Sequence, residues 1–170
     1  MQDCELTALV EQYADMVLRI AYQHCFNKSD SEDITQEVFL KLLDHIGELP
    51  DQRAVKAWLI RVTVNQCKDC NKSAWYRRHT PLEDDGAAVC WQDEELALLD
   101  VLKRLRPMQR TMLYMHYYEG YKIREIAEIL RLRENTVSSG LHRARKELRR
   151  ILTEGEDASW RKNIALCSPK

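Results

Sequence analysis

The stretch from Lys122 to Leu152 reads KIREIAEILRLRENTVSSGLHRARKELRRIL. Ile123, Ile126, Ala127 and Leu130 recur at helical spacing and predict a short amphipathic helix over 122–130. Leu132 plugs the turn Arg131-Leu132-Arg133. Val137, Leu141, Ala144, Leu148 and Ile151 predict the buried face of a second, longer helix over 134–152. Its other face carries Ser138, Ser139, His142, Arg143, Lys146 and Arg149. A short helix, a tight turn and a longer basic helix make a helix-turn-helix, a unit that reads duplex DNA. The major groove admits one helix, and small polar side chains near its start let the backbone come close. Arg143 and Lys146 are candidates for guanine edges or phosphates, Arg149 for phosphates. The competing reading is a plain helical hairpin with solvated cations.

Upstream of this unit, Leu96, Leu99, Leu102 and Leu105 predict a helix over 92–105. Pro107 suits the first turn of another, over 107–119, which Gly120 stops. At the other end of the chain, Leu6, Leu9, Val10, Tyr13, Val17, Ile20 and Ala21 predict a helix over 4–26. Ser29 and Glu32 have capping-box spacing and open a helix over 30–46, with Ile34, Val38, Leu42 and Ile46 inward and Gly47 and Pro50 as its stop. A third helix, over 53–74, has Val55, Trp58, Leu59, Val62 and Gln66 on one stripe. Its second stripe, Arg61, Asn65, Lys68 and Lys72, is polar and should face water. Trp75-Tyr76-Arg77-Arg78-His79 closes this block. Residues 79–95 carry Pro81, Gly86 and acids without periodicity and read as a linker. The tail 153–170 reads as a frayed end, although Trp160 and Ile164 are candidates to dock.

The pattern is all-α. With 170 residues the chain holds one ordinary domain or two small ones. Only 5 Gly and 4 Pro are present, too few for an all-β fold with a turn about every 8–12 residues. No apolar run approaches the roughly 18 residues of a membrane span. The acidic start, Met1-Gln2-Asp3-Cys4-Glu5, does not resemble a secretory signal, so a cytoplasmic location is expected. The six cysteines are then expected as free thiols. The net charge of −1 conceals four blocks: −7 over 1–50, +5 over 51–80, −6 over 81–98 and +7 over 99–150. Two basic blocks separated by an acidic one suit two surfaces for a polyanion, or simply solvated helix faces.

Asp33, Gln36, Glu37 and Leu40 share one face of the second helix. Acids, an amide and an apolar anchor (Leu40 or Phe39) suit docking on a basic protein surface, and equally a solvated acidic face. On the third helix, Trp58 with the basic stripe matches how single-stranded bases are stacked and tracked, but its spacing with Val55 and Leu59 places it in the core. The loop Leu49-Pro50-Asp51-Gln52-Arg53 is the better candidate to cradle an extruded base. Cys67-Lys68-Asp69-Cys70 is a C-x-x-C late in a helix, without the strand that a thioredoxin-like site needs. As a zinc site it lacks two ligands, and neither His79 nor Cys90 has a trusted spacing. Idle thiols are the simpler reading. No Ser/His/Asp grouping, phosphate loop or paired-carboxylate motif stands out, which counts against an enzyme.

Asp33-Ile34-Thr35-Gln36-Glu37-Val38-Phe39-Leu40-Lys41-Leu42 resembles the core-binding motif of bacterial sigma factors of the extracytoplasmic-function (ECF) kind. Ala57-Trp58-Leu59-Ile60-Arg61-Val62-Thr63-Val64-Asn65 resembles their melting helix. Leu105-Arg106-Pro107-Met108-Gln109-Arg110, Glu119-Gly120-Tyr121, Glu125-Ile126-Ala127-Glu128-Ile129-Leu130, Thr136-Val137 and Leu141-His142-Arg143-Ala144-Arg145-Lys146-Glu147-Leu148 resemble the minus-thirty-five-reading domain. The resemblance spans residues 5–152 and implies two small helical domains joined by a flexible linker. The second would be a helix-turn-helix, winged-helix-like without the wing. It implies a region 2 over 1–78, an acidic linker over 79–97, a region 4 over 98–152 and a tail over 153–170. Asp33, Gln36, Glu37, Phe39 and Leu40 would dock on core RNA polymerase. Asp51, Gln52, Arg53, Lys56, Arg61, Asn65 and Lys68 would hold the melted minus-ten strand. Ser138, Ser139, His142, Arg143 and Lys146 would read the minus-thirty-five duplex. The implied partners are core polymerase, promoter DNA and an anti-sigma factor, with no small-molecule substrate. No cofactor or chemistry belongs to the factor itself, because polymerase holds the catalytic metals.

The chain departs from the family at the DNA-reading turn. Arg131 stands where Gly is common, and Arg133 stands where a small capping Ser is usual, a loss of ~1 kcal/mol. Ser138 and Gly140 stand where basic residues flank the Ser of the recognition helix. Gly140 should cost that helix about 1 kcal/mol against Ala, or else let the backbone approach DNA closely. Minus-thirty-five contacts should then rely more on Arg143 and Lys146. Two other classes compete with the sigma reading: a stand-alone DNA-binding regulator using only 99–152, and a thiol or zinc enzyme using Cys67 and Cys70.

Overall fold

The computed structural model describes residues 2–77 and 101–154, all helix and connecting turns. The chain divides into two compact units, Met1–Val89 and Cys90–Lys170. The expected linker 79–97, Cys90, Trp160 and Ile164 lie outside the described residues, as do the side chains at 71–79.

The first unit is built from α1 (Gln2–Cys25), α2 (Lys28–His45) and α3 (Gln52–Arg77), each packed on the other two. Tyr13, Met16, Val17, Ile20 and Ala21 of α1 repeat at i, i+3, i+4, i+7 and i+8 and are all buried. That stripe meets Ile34, Val38 and Leu42 of α2 and Val55, Leu59, Ile60 and Val64 of α3 as the core. Each large side chain buried there contributes about 1.5–3 kcal/mol, so packing rather than helix propensity holds these helices. Leu59→Ala would leave a cavity and cost about 2–5 kcal/mol.

The junctions differ in detail from expectation. Phe26 ends α1 in the left-handed region at φ 49°, and its N–H donates to Tyr22 O at 2.8 Å. Asn27 then caps α2, its Oδ1 accepting from the Asp30 N–H at 3.0 Å. The expected cap, Ser29, is therefore inside the helix. A shared S-x-x-E pattern hid the Asn two residues earlier, whose side chain already satisfies the orphan donor. A 3-10 turn, Ile46–Glu48, leads out of α2. Asp51 starts α3, its Oδ1 accepting from the Ala54 N–H at 2.7 Å and its carbonyl from the Val55 N–H at 3.0 Å.

The second unit, as described, begins with a helical turn at 101–103 and continues with α4 (Pro107–Leu113), α5 (Ile123–Leu130) and α6 (Glu134–Glu154). Pro107 does open α4, and Gln109 Oε1 accepts from the Arg106 N–H at 3.1 Å. Arg110 is buried, and its Nη1 donates to Leu105 O at 2.7 Å and Leu102 O at 3.2 Å, closing the carbonyl end of the preceding turn. The expected helix over 107–119 does not stay α-helical. It widens into a π-helical turn, Tyr114–Tyr118, pinned by Tyr114 Oη donating to Glu119 at 2.8 Å. Gly120 follows at φ 74°, the left-handed stop that glycine permits. Glu125 then accepts from the Lys122 N–H at 2.9 Å and starts α5. Ile126, Ala127, Val137, Leu141, Ala144 and Ile151 are buried and join α5 and α6 to Met112, Leu113 and Met115.

Gly140 also turns inward. A Cβ built on it would lie 2.7 Å from Met112 Sδ and 3.4 Å from its Cε. The close approach that this glycine allows is therefore to α4, and the expected close approach to DNA does not describe it.

Candidate functional site

Three surfaces carry the residues singled out in the sequence. On α2, Asp33, Gln36, Glu37 and Leu40 are all exposed along one face. Leu40 is 63% exposed, while Phe39 is 8% exposed and belongs to the core. Phe39 is therefore corrected from a docking residue to a packing residue. Helical rotation of 100° per residue separates the two, and α1 and α3 together cover the side on which Phe39 lies. Leu43, 44% exposed, was missed and extends the apolar part of this face one turn beyond Leu40. The adjacent pair Leu42-Leu43 held the signal, since only one of two neighbours can point at the same core. Glu37 pairs with Lys41 at 3.1 Å, and Lys41 Nζ donates to Gln66 Oε1 of α3 at 2.5 Å. This chain of contacts fixes the register of the acidic face against α3.

On α3, Asp51, Gln52 and Arg53 are exposed at the start of the helix, Lys56 and Arg61 are half-buried, and Asn65 and Lys68 are exposed. The stripe faces away from the core because Ile60, Val64 and Cys67 take the inward positions. Trp58 is 9% exposed, with its ring 5.4 Å from that of His45. It packs in the core, as its spacing with Val55 and Leu59 indicated. Asp51 has a structural duty as the cap of α3 besides any contact it makes.

On α6, Ser138, His142, Arg143 and Lys146 are exposed and Ser139 is half-buried. Ser139 Oγ donates to Thr136 O at 3.2 Å and accepts from Arg143 Nη2 at 3.3 Å. The Arg143 guanidinium is thereby laid towards the start of the helix, where such helices meet base edges. Farther along, Arg150 grips Glu147 at 2.6 Å and holds its carboxyl below the usual carboxylate range. No sequence feature predicted these pairings, because either neighbouring turn offered partners.

The C-x-x-C pair has a third thiol beside it. Cys67 is buried, Cys25 and Cys70 are half-buried, and none of the three is in a disulfide. A hydrogen bond with Cys25 pushes the Cys67 thiol well above its ordinary pKa, and burial pushes the same way. Among the described residues no group of three or more His, Cys, Asp or Glu is arranged to hold a metal ion. No described helix is long and apolar enough to cross a membrane.

The two units correspond to two known sequence families. Sigma-70 region 2 matches residues 9–80, and Sigma-70 region 4 matches residues 95–148. The ECF RNA polymerase sigma factor SigL of Mycobacterium tuberculosis is 30% identical over 158 residues, covering 88% of this chain and 89% of SigL. The chain belongs to the ECF family of RNA polymerase sigma factors. Another ECF sigma factor, BldN of Streptomyces coelicolor, is 30% identical over 157 residues, covering 86% of this chain and 60% of BldN. This ECF chain thus spans about three fifths of the length of some relatives and most of the length of others. Its fold is that of the sigma factor RpoE solved with the anti-sigma factor NepR from Bartonella quintana, with a TM-score of 0.69 at 17% identity over 88% of this chain and 97% of RpoE. In these terms α1 to α3 are region 2 and α4 to α6 are region 4 of the ECF factor.

Proposed function

We propose that this chain binds core RNA polymerase and directs promoter-specific transcription initiation. It would read the minus-ten element as melted single strand and the minus-thirty-five element with its helix-turn-helix. The observation that carries this reading is the α2 face, where exposed Asp33, Gln36 and Glu37 lie beside the exposed Leu40 and Leu43. A DNA-binding regulator needs no such face, whereas acids next to an apolar anchor suit a basic docking surface. Asp33, Gln36, Glu37 and Leu40 dock on polymerase. Gln52, Arg53, Lys56, Arg61, Asn65 and Lys68 hold the melted strand, with Asp51 shaping the start of their helix. Ser138, Ser139, His142, Arg143 and Lys146 read the duplex, and Arg143→Ala should weaken minus-thirty-five binding.

The chain carries out no chemistry of its own in this scheme, takes no cofactor, and works in the cytoplasm where polymerase meets the chromosome. The sigma factor RpoE from Bartonella quintana was solved bound to the anti-sigma factor NepR, and an anti-sigma protein is the proposed regulator here. The test is run-off transcription by sigma-free core polymerase over a pooled promoter library, with and without the chain. Discrete start sites that depend on the chain support the reading. Failure to bind core would overturn it and leave a DNA-binding regulator as the better account.

A further inference from the structure

Two arginines occupy backbone positions that disfavour them. Arg131 ends α5 in the left-handed region, at φ 54° and ψ 47°. The Leu132 N–H closes that end on Ala127 O at 2.9 Å, a geometry that glycine adopts without strain. Arg133 stands at the cap of α6, its carbonyl accepting from the Thr136 N–H at 2.8 Å and the Val137 N–H at 3.2 Å. A guanidinium has no acceptor, so the cap bond that Ser or Asp would make is missing. Its charge also opposes the positive end of the helix dipole.

Nothing among the described residues compensates. Both side chains are exposed, and among the described residues neither guanidinium has an ion pair or a hydrogen bond. Three other arginines of the same unit are engaged: Arg124 with Glu128 at 3.1 Å, Arg143 with Ser139, and Arg150 with Glu147. Arg131 and Arg133 instead line one open groove of about 690 Å³, shared with Arg124, Glu128, Glu134 and Asn135. Three cations face two carboxylates there, and one of those carboxylates is tied to Arg124. The groove runs into the first turn of α6, so it is continuous with the face that carries Ser138, His142, Arg143 and Lys146. Positions that break local rules without an internal gain are where function is expected.

We propose that Arg131 and Arg133 clamp the phosphate backbone at the edge of the duplex groove that α6 enters. Planar guanidinium groups suit bidentate phosphate contacts, and such contacts fix register without reading bases. The turn then supplies sequence-independent affinity, and the exposed face of α6 supplies discrimination. This rests on the DNA-reading role proposed above for α6.

The test uses the full chain and a short labelled duplex of mixed sequence, with affinity measured by anisotropy between about 50 and 200 mM salt. Arg131→Gly and Arg133→Ser should each weaken binding several-fold and lower the salt slope by about 0.9. Both should also raise the thermal midpoint by about 4 °C, because strain is relieved in one and a cap gained in the other. Arg131→Lys should keep most of the salt slope. Tighter folding with weaker binding is an outcome that a purely structural role does not produce. Wild-type affinity and slope in both variants, with Lys146→Ala still weakened, would overturn the clamp and leave the reading of α6 intact. If Lys146→Ala were also unchanged, or the wild-type chain did not bind, the reading of α6 would fall with it.

Discussion

Replacing Gly140 by Ala sets two opposing effects against each other. Alanine favours the helix by about 1 kcal/mol over glycine. Its Cβ, however, would sit 2.7 Å from Met112 Sδ, so the sulfur must retreat by about 1 Å to reach ordinary contact distance. Met112 is only 3% exposed, so its sulfur must retreat into the core rather than into water. Overpacking of a core costs roughly 1–3 kcal/mol, and the unbranched, adaptable Met side chain places this case near 2 kcal/mol. The net expectation for Gly140→Ala is a loss of about 1 kcal/mol, a drop of about 4–8 °C in the midpoint of a domain of this size.

The companion variant is Met112→Val, which removes Sδ and Cε, the two atoms that meet the new Cβ. In that background Gly140→Ala should become stabilising by about 1 kcal/mol, because only the helix preference remains. The coupling between the two sites is then about 2 kcal/mol, within the range for residues in contact. Thermal unfolding of the four proteins, followed by circular dichroism, measures it. If Gly140→Ala stabilised both backgrounds equally, Met112 would be yielding freely. The argument that this glycine exists to seat α6 on α4 would then be wrong.

Leu40→Ala should weaken binding to core polymerase about 5- to 10-fold and change stability by less than about 0.5 kcal/mol. Phe39→Ala, one residue away, should cost about 3–5 kcal/mol of stability, measured by denaturant unfolding. Asp51→Ala should lose about 1 kcal/mol through the missing cap, and Asp51→Ser should restore it. Promoter opening that is recovered by Ser would assign Asp51 to capping α3, and opening lost in both would assign it a DNA contact. The raised pKa of Cys67 means that above about pH 9 the unfolded chain gives up that proton while the folded chain keeps it. Stability is therefore complete below that pH and falls as pH rises, by up to ~1.4 kcal/mol per unit, and Cys67→Ala should flatten the difference.

The helices were legible because apolar residues repeat at helical spacing, and that repeat survives any particular partner. Trp58 was assigned to the core on spacing alone, and it is there. Choices between neighbours were not legible. Phe39 and Leu40 both fit an apolar anchor, and the decision came from α1 and α3 covering α2 from two sides. The π-helical turn was hidden by the unbroken buried run from Arg110 to Met115, whose periodicity has no gap to mark an inserted residue. Gly140 is the opposite case. It lies three residues after Val137 and four before Ala144, both buried, so its inward side could have been read from the spacing.

The two units depart from local stability in different ways, and each departure indicates its own kind of partner. Region 2 leaves Leu40 and Leu43 in water beside acids, a surface that another protein can cover. Region 4 keeps Arg131 in a left-handed turn and Arg133 at an uncapped helix start, which no contact among the described residues offsets and a polyanion would. Selection for thermal stability alone should therefore move these sites in foreseeable directions. Arg131 should go to Gly, Arg133 to Ser or Asp, and Leu40 to a polar helix former. The same selection should leave Gly140 unchanged as long as Met112 remains, because there glycine is already the more stable residue. A stability-selected pool that enriched Arg at 131 and 133 would mean that the fold itself uses those cations, and the assignment of both to DNA would have to be withdrawn.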